Sequence, residues 1–95
     1  MNPSEVADRI EAFVRTRFSI GQSDRGFKRS ADLLDGGYVD SVGFVELLEF
    51  LREEFGVEVP ETDLLSDEFS SIDGMARIVA RLVGREELRG KQDAS

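Results

Sequence analysis

The sequence predicts an all-α fold: a small bundle of three main helices and one short one, with a long first loop. Three observations predict it. Apolar residues recur at helical spacing in three separate segments. Residues suited to helix capping stand where those segments begin. The one stretch that alternates like a strand, Val57-Glu58-Val59-Pro60, has no second such stretch to pair with. Ninety-five residues suit one domain. A chain of this size buries about 60–70% of its extended surface, so its core is modest.

The first helix is expected over 3–18. Asn2 suits the cap, Pro3 the first helical position, and Glu5 can close a capping box. Val6, Ile10, Phe13 and Val14 form one apolar stripe, which Phe18 and Ile20 extend as the helix ends near Gly21. Arg9, Arg15 and Arg17 fall mostly on the other face. Residues 19–40 read as a long connection broken by Gly21, Ser23, Asp24, Gly26, Gly36 and Gly37. Phe27 and the pair Leu33-Leu34 are its expected anchors, the pair on a short helical turn starting near Ser30. A loop of this length in a compact domain is usually functional.

The second helix is expected over 41–55. Val45, Leu48 and Leu51, with Leu47 and Phe55, make its core stripe, leaving Glu46, Glu49, Arg52 and Glu53 outside. Val42 and Phe50 are ambiguous. Gly56 is placed to end the helix. Val57 and Val59 are expected to be buried from an extended link. Residues 61–67 form a short third helix or turn with Leu64 and Leu65 facing inward, and Phe69 plugs the core beyond it. The last helix, over 71–84, starts at Ser70 or Ser71 and packs Ile72, Met75, Ala76, Val79, Leu82 and Val83. Gly74 marks either a close helix contact or a tolerated defect. Residues 1–84 are expected to form the functional domain, and 85–95 a polar tail that frays.

Composition excludes several functions. The chain has no cysteine and no histidine, which removes disulfides, thiolate metal sites and the commonest general base. No Asp-x-Asp-x-Asp-Gly calcium loop with a glutamate at its twelfth position is present. In so acidic a chain two carboxylates could pair anywhere, but no phosphate-cradling glycine loop or nucleophile–base pair supports a free-standing enzyme. No apolar run reaches the roughly 18–20 residues of a membrane span, and the N-terminus has no signal pattern. A soluble cytoplasmic protein is therefore expected. The net charge of −8 argues against nucleic acid as a partner. Residues 40–68 hold ten of the twenty acids and one of the twelve bases, Arg52, whereas residues 1–30 hold four acids and six bases. The acidity gathers around the second helix.

The chemistry concentrates in Gly36-Gly37-Tyr38-Val39-Asp40-Ser41-Val42. Asp40 is a good N-cap. Ser41 then falls in the first turn, where a phosphate on its hydroxyl would sit at the positive end of the helix dipole. Asp-Ser before a helix is by itself usually only a cap. The residues C-terminal to it make it specific: an acidic amphipathic helix, then Glu53-Glu54-Phe55-Gly56 and Val59-Pro60. Over roughly residues 32–83 the chain resembles the acyl carrier proteins of the discrete type. The family's serine motif reads Gly-x-x-Asp-Ser-Leu or Gly-x-Asp-Ser-Leu, here Gly37-Tyr38-Val39-Asp40-Ser41-Val42.

The resemblance implies that Ser41 carries 4′-phosphopantetheine, donated from coenzyme A by a phosphopantetheinyl transferase. Asp40 would cap the helix and present Ser41. The arm's thiol would hold an acyl or aminoacyl group as a thioester, so the protein would be a carrier and not an enzyme. Partners would be an acyl- or aminoacyl-activating ligase and downstream acyl-processing enzymes, docking through basic patches on Glu46, Glu49 and Glu53, with Val42 adding an apolar contact. A monomer suits such a shuttle. Valine in place of the usual leucine after the serine is a smaller apolar group that would select partners. The tripeptide Gly37-Tyr38-Val39 before Asp40 resembles carriers that serve acyl- or aminoacyl-activating ligases more than the Gly-Ala-Asp-Ser-Leu form of bulk fatty-acid synthesis, which points to a specialised pathway. The rival is a carrier-like bundle without the arm, acting as an interaction module.

Overall fold

A computed structural model describes residues 1–21 and 27–93, with side-chain surroundings through residue 85. Ser23, Asp24 and Gly26 of the expected loop, and Ala94 and Ser95 of the tail, lie outside the described residues. The described residues form helices α1 (Pro3–Arg17), α2 (Ser41–Phe55), α3 (Glu61–Leu64) and α4 (Ile72–Asp93), with a 3-10 turn at Asp67–Ser70 between the last two. No strand occurs among them.

The caps act where the sequence placed them. The Asn2 side chain accepts from Glu5 N–H at 2.8 Å and starts α1. Ser71, not Ser70, caps α4, accepting from Gly74 N–H at 3.1 Å. Gly56 ends α2 in the left-handed region, φ 67°, with its N–H donating to Arg52 C=O. At the end of α1 that conformation falls on Ser19 (φ 55°) rather than Gly21. The Phe18 and Ile20 N–H groups donate back to Val14 and Arg15, so two carbonyls of the last turn are satisfied.

The core joins Val6, Ala7, Ile10 and Val14 of α1, Leu47 and Leu51 of α2, and Ile72, Met75, Ala76, Ile78, Val79 and Leu82 of α4. Phe27, Leu33, Val39, Val57 and Phe69 close it from the connections. Phe13, Leu48, Phe55, Val59 and Leu64 are half-buried against it. Phe13 stacks on Phe50 with ring centroids 4.2 Å apart, which brings the ambiguous Phe50 into the α1–α2 contact.

Four expectations are corrected. Val45 is 54% exposed, because α2 turns Leu47 and Leu51 to the core instead. Leu65 follows the last turn of α3 and is 78% exposed, while Leu64 packs inward. Leu33 is fully buried but Leu34 is exposed, and the segment around them is a series of turns rather than a helical one. Last, α4 does not stop at 84 but continues to Asp93 through much of the tail expected to fray. Arg, Glu, Leu, Lys and Gln dominate that segment and favour helix.

The long loop is tied at several points. Arg29 reaches Asp8 and Glu11 of α1, and Arg15 donates to Glu11 and lies 4.7 Å from the Phe27 ring centroid. Arg15 is thus half-buried under the loop and not on a free outer face. Arg29 C=O accepts from Asp73 N–H, and Leu33 N–H donates to Ser70 C=O. These bonds hold the segment that leads into α2.

Candidate functional site

The start of α2 is fixed by residues on both sides. Leu33 C=O accepts from both Tyr38 and Val39 N–H, and Val39 is buried. Gly37, φ 76°, makes the bend that this requires. The backbone then emerges at Asp40, whose Oδ1 accepts from Gly43 N–H at 2.7 Å. Gly43 itself is buried. A Cβ there would lie 2.6 Å from the Phe18 ring and 3.1 Å from Val39. The missing side chain lets the end of α1 and the loop close on the first turn of α2.

Ser41 is the first residue of α2 and is exposed, so its hydroxyl faces solvent. Asp40 occupies the Gly43 N–H, whereas the N–H groups of Ser41 and Val42 have no acceptor among the described residues. A phosphate on Ser41 Oγ would meet unpaired donors and the positive helix end, without a buried charge to oppose it. The residues present therefore fit a phosphodiester at Ser41. Asp40 keeps its capping role.

Beyond Ser41, Val42 is 70% exposed and Val45 54% exposed on the outward face of α2, next to exposed Glu49 and Glu53. Sequence reasoning put Val45 in the core and so missed it as part of this face. Glu46 differs from its neighbours. Arg17, at the end of α1, donates to its Oε1 at 2.8 Å and places Nε 2.7 Å from its Oε2. That Oε2 is shielded from solvent and the Nε contact lacks hydrogen-bond alignment. Arg17, Phe18, Tyr38, Asp40, Val42 and Glu46 line one shallow groove beside the site. The charge split between the first thirty residues and the second helix was a signal for such pairing, but spacing alone could not name the partners.

These features define a class: a small helical bundle that presents one exposed serine at a dipole-supported helix start, flanked by an acidic face. Comparison with known proteins gives the family. Residues 8–88 match the family model described as the phosphopantetheine attachment site. The chain is 33% identical over 63 residues to an acyl carrier protein of Thermosynechococcus vestitus, covering 66% of this chain and 75% of that one. It is 29% identical over 77 residues to the probable acyl carrier protein PigG of a Serratia species, covering 81% and 87%. An acyl carrier protein of Lactobacillus johnsonii is 33% identical over 67 residues, covering 66% and 76%. The chain belongs to the phosphopantetheine-attachment family and is an acyl carrier protein, a carrier with a covalently attached 4′-phosphopantetheine and not an enzyme in its own right. As such it meets a phosphopantetheinyl transferase and enzymes of biosynthesis. No helix among the described residues is long and apolar enough to cross a membrane.

Proposed function

We propose that Ser41 is the attachment residue and that the protein shuttles an acyl or aminoacyl thioester among the enzymes of a specialised biosynthetic pathway. The observation that supports this most is the exposed Ser41 hydroxyl at the first position of α2, behind an Asp40 cap that leaves two N–H donors free. In loading, Ser41 Oγ displaces the nucleotide part of coenzyme A from the phosphate next to pantetheine, and the serine proton passes to a base on the transferase. Asp40 holds the first turn so that Oγ points outward. The arm, once attached, supplies a thiol that carries the cargo as a thioester; the chain, having no cysteine, offers no competing thiol.

Partner enzymes dock on the outward face of α2, where Val42, Glu46, Glu49 and Glu53 lie, with Val45 now joining them. Opposite charges speed encounter more than they tighten a complex, which suits a shuttle that must let go. The expected partners are a transferase, an acyl- or aminoacyl-activating ligase and downstream acyl-processing enzymes. The tripeptide Gly37-Tyr38-Val39 before Asp40 supports the specialised pathway over bulk fatty-acid synthesis. We take residues 1–84 as the carrier unit, working as a monomer in the cytoplasm, where coenzyme A is at hand.

Intact-protein mass after incubation with coenzyme A, magnesium and a broad-specificity phosphopantetheinyl transferase tests the site. One phosphopantetheine adduct is expected on the wild type and none on Ser41→Ala. An adduct on both would move the attachment residue elsewhere. An unmodified wild type, with a control carrier loaded in parallel and a dedicated transferase also tried, would favour the armless interaction module.

A further inference from the structure

We propose that Arg17 is a partner-specificity residue: by holding Glu46 it withdraws one of the four α2 acids from the charge pattern that a docking enzyme reads. This rests on the reading of α2 as the docking face. Two arginines of α1 reach across to α2, Arg9 to Glu54 at 3.0 Å and Arg17 to Glu46 at 2.7–2.8 Å. They stand on either side of the Phe13–Phe50 stack that joins the two helices. Glu49 and Glu53, between Glu46 and Glu54 in sequence, are exposed and have no cationic partner among the described residues.

The Arg17 contact is the stronger candidate for control, because it lies at the end of α2 that bears Ser41. Both guanidinium positions used, Nη2 and Nε, face the two oxygens of one carboxylate. Glu46 Oε2 is thereby closed to solvent. An exposed ion pair of this kind adds little to folding, but masking does not require a strong pair. A positive charge held within 3 Å of a negative one cancels most of its field at the distance from which a partner approaches. A basic side chain aimed at Glu46 also meets Arg17, a like charge. The face thus favours an enzyme whose cations sit over Glu49 and Glu53 and whose apolar contact covers Val42 and Val45. It disfavours one that needs a cation at position 46. Like-charge juxtaposition of this sort is how interfaces reject wrong partners.

The test is a double-mutant cycle on the rate of loading by a broad-specificity phosphopantetheinyl transferase with coenzyme A, read as kcat/KM at low salt. Arg17→Gln is expected to raise kcat/KM by about threefold, the effect of exposing one rim charge. In the wild-type background Glu46→Gln is expected to lower it about as much as Glu49→Gln, because it leaves Arg17 as an uncancelled cation on the face. The double variant Arg17→Gln/Glu46→Gln removes both members of a self-cancelling pair and should load at about the wild-type rate. Arg77→Gln on α4, which frees Glu68 of the 3-10 turn rather than an acid of α2, controls for net charge. Thermal unfolding of each variant confirms that the fold is retained. An equal gain from Arg17→Gln and Arg77→Gln, or a double variant Arg17→Gln/Glu46→Gln that loads well below the wild type, would overturn the role of Arg17 and leave the docking face standing. Loading indifferent to Glu49→Gln, Glu53→Gln and salt would remove the docking face itself, and the role of Arg17 with it.

Discussion

Gly74 shows what one residue can settle. From sequence it is either a close contact or a defect costing about 1 kcal/mol relative to alanine. In the structure a Cβ at Gly74 would lie 1.5 Å from the carbonyl oxygen of Glu68. That oxygen belongs to the backbone of the 3-10 turn, which cannot swing aside as a side chain could. Gly74→Ala must push the turn off α4 and disturb Phe69, which is buried directly beside it. A loss of about 3 kcal/mol is expected, at the upper end for overpacking. Gly84, on the same helix, has open space where its Cβ would be. Gly84→Ala should gain up to about 1 kcal/mol from helix propensity alone. Urea unfolding of the two variants checks both signs, and two changes of the same sign would contradict this assignment. The same scale explains the error at Val45. Seven of the first eleven residues of α2, counting from Ser41, are apolar (Val42, Phe44, Val45, Leu47, Leu48, Phe50 and Leu51), so two overlapping stripes fit the helical period. Only the packing of α1 and α4 chooses Leu47 and Leu51 for the centre.

Among elements, the boundaries carried by explicit chemistry were legible and those without it were not. Asn2, Asp40 and Gly56 fix the ends of α1 and α2 within a residue of expectation. The expected stop of α4 at 84 was wrong, because the helix runs on through Gly84 and Gly90 to Asp93 and neither glycine breaks it. The long loop was legible as a loop, and Phe27 and Leu33 as its anchors, but its electrostatic tie to α1 was not. Arg29 crosses to Asp8 and Glu11, a contact between residues far apart in sequence. The bonds from Arg15 and then Arg29 hold the Glu11 carboxyl below its ordinary value of 4.5, against a smaller opposing effect of burial. The folded state therefore prefers ionised Glu11 more than the unfolded state does. The stabilisation is complete above about pH 4.5, where the unfolded carboxyl is also ionised, and is lost as pH falls through the depressed folded value. Glu11→Gln should cost about 1 kcal/mol at pH 7, since these charge-assisted bonds are partly exposed. It should cost much less near the acid end of the transition. Unfolding free energies of wild type and variant across that range give the test: a gap that widens towards acid would reverse the sign.

At the scale of the whole molecule, charge governs stability and function in opposite directions. The net charge is −8, with the acids crowded around α2 while bases of α1 and α4 answer only some of them. The described ion pairs are mostly exposed, and such pairs contribute little. Self-repulsion among the unanswered acids is the larger effect, and it opposes the compact state. Raising salt from about 10 mM to about 150 mM shortens the screening length from roughly 30 Å to 8 Å. It weakens that repulsion, so Tm should rise. The same screening weakens the attraction between Glu49, Glu53 and a basic partner, so transferase kcat/KM should fall over the same range. The fold and the acidic face were both legible in the sequence, but this opposition emerges only once the structure places Glu49 and Glu53 outward and without a cation. Thermal melts and loading rates on one salt series measure both. A Tm that fell with salt would mean that the surface pairs, not the repulsion, dominate the folded state. A loading rate that rose or held constant would mean that the acids of α2 do not steer the partner. A rising Tm with a falling rate identifies a protein whose uncompensated charge is kept for encounter, at some cost to its own stability.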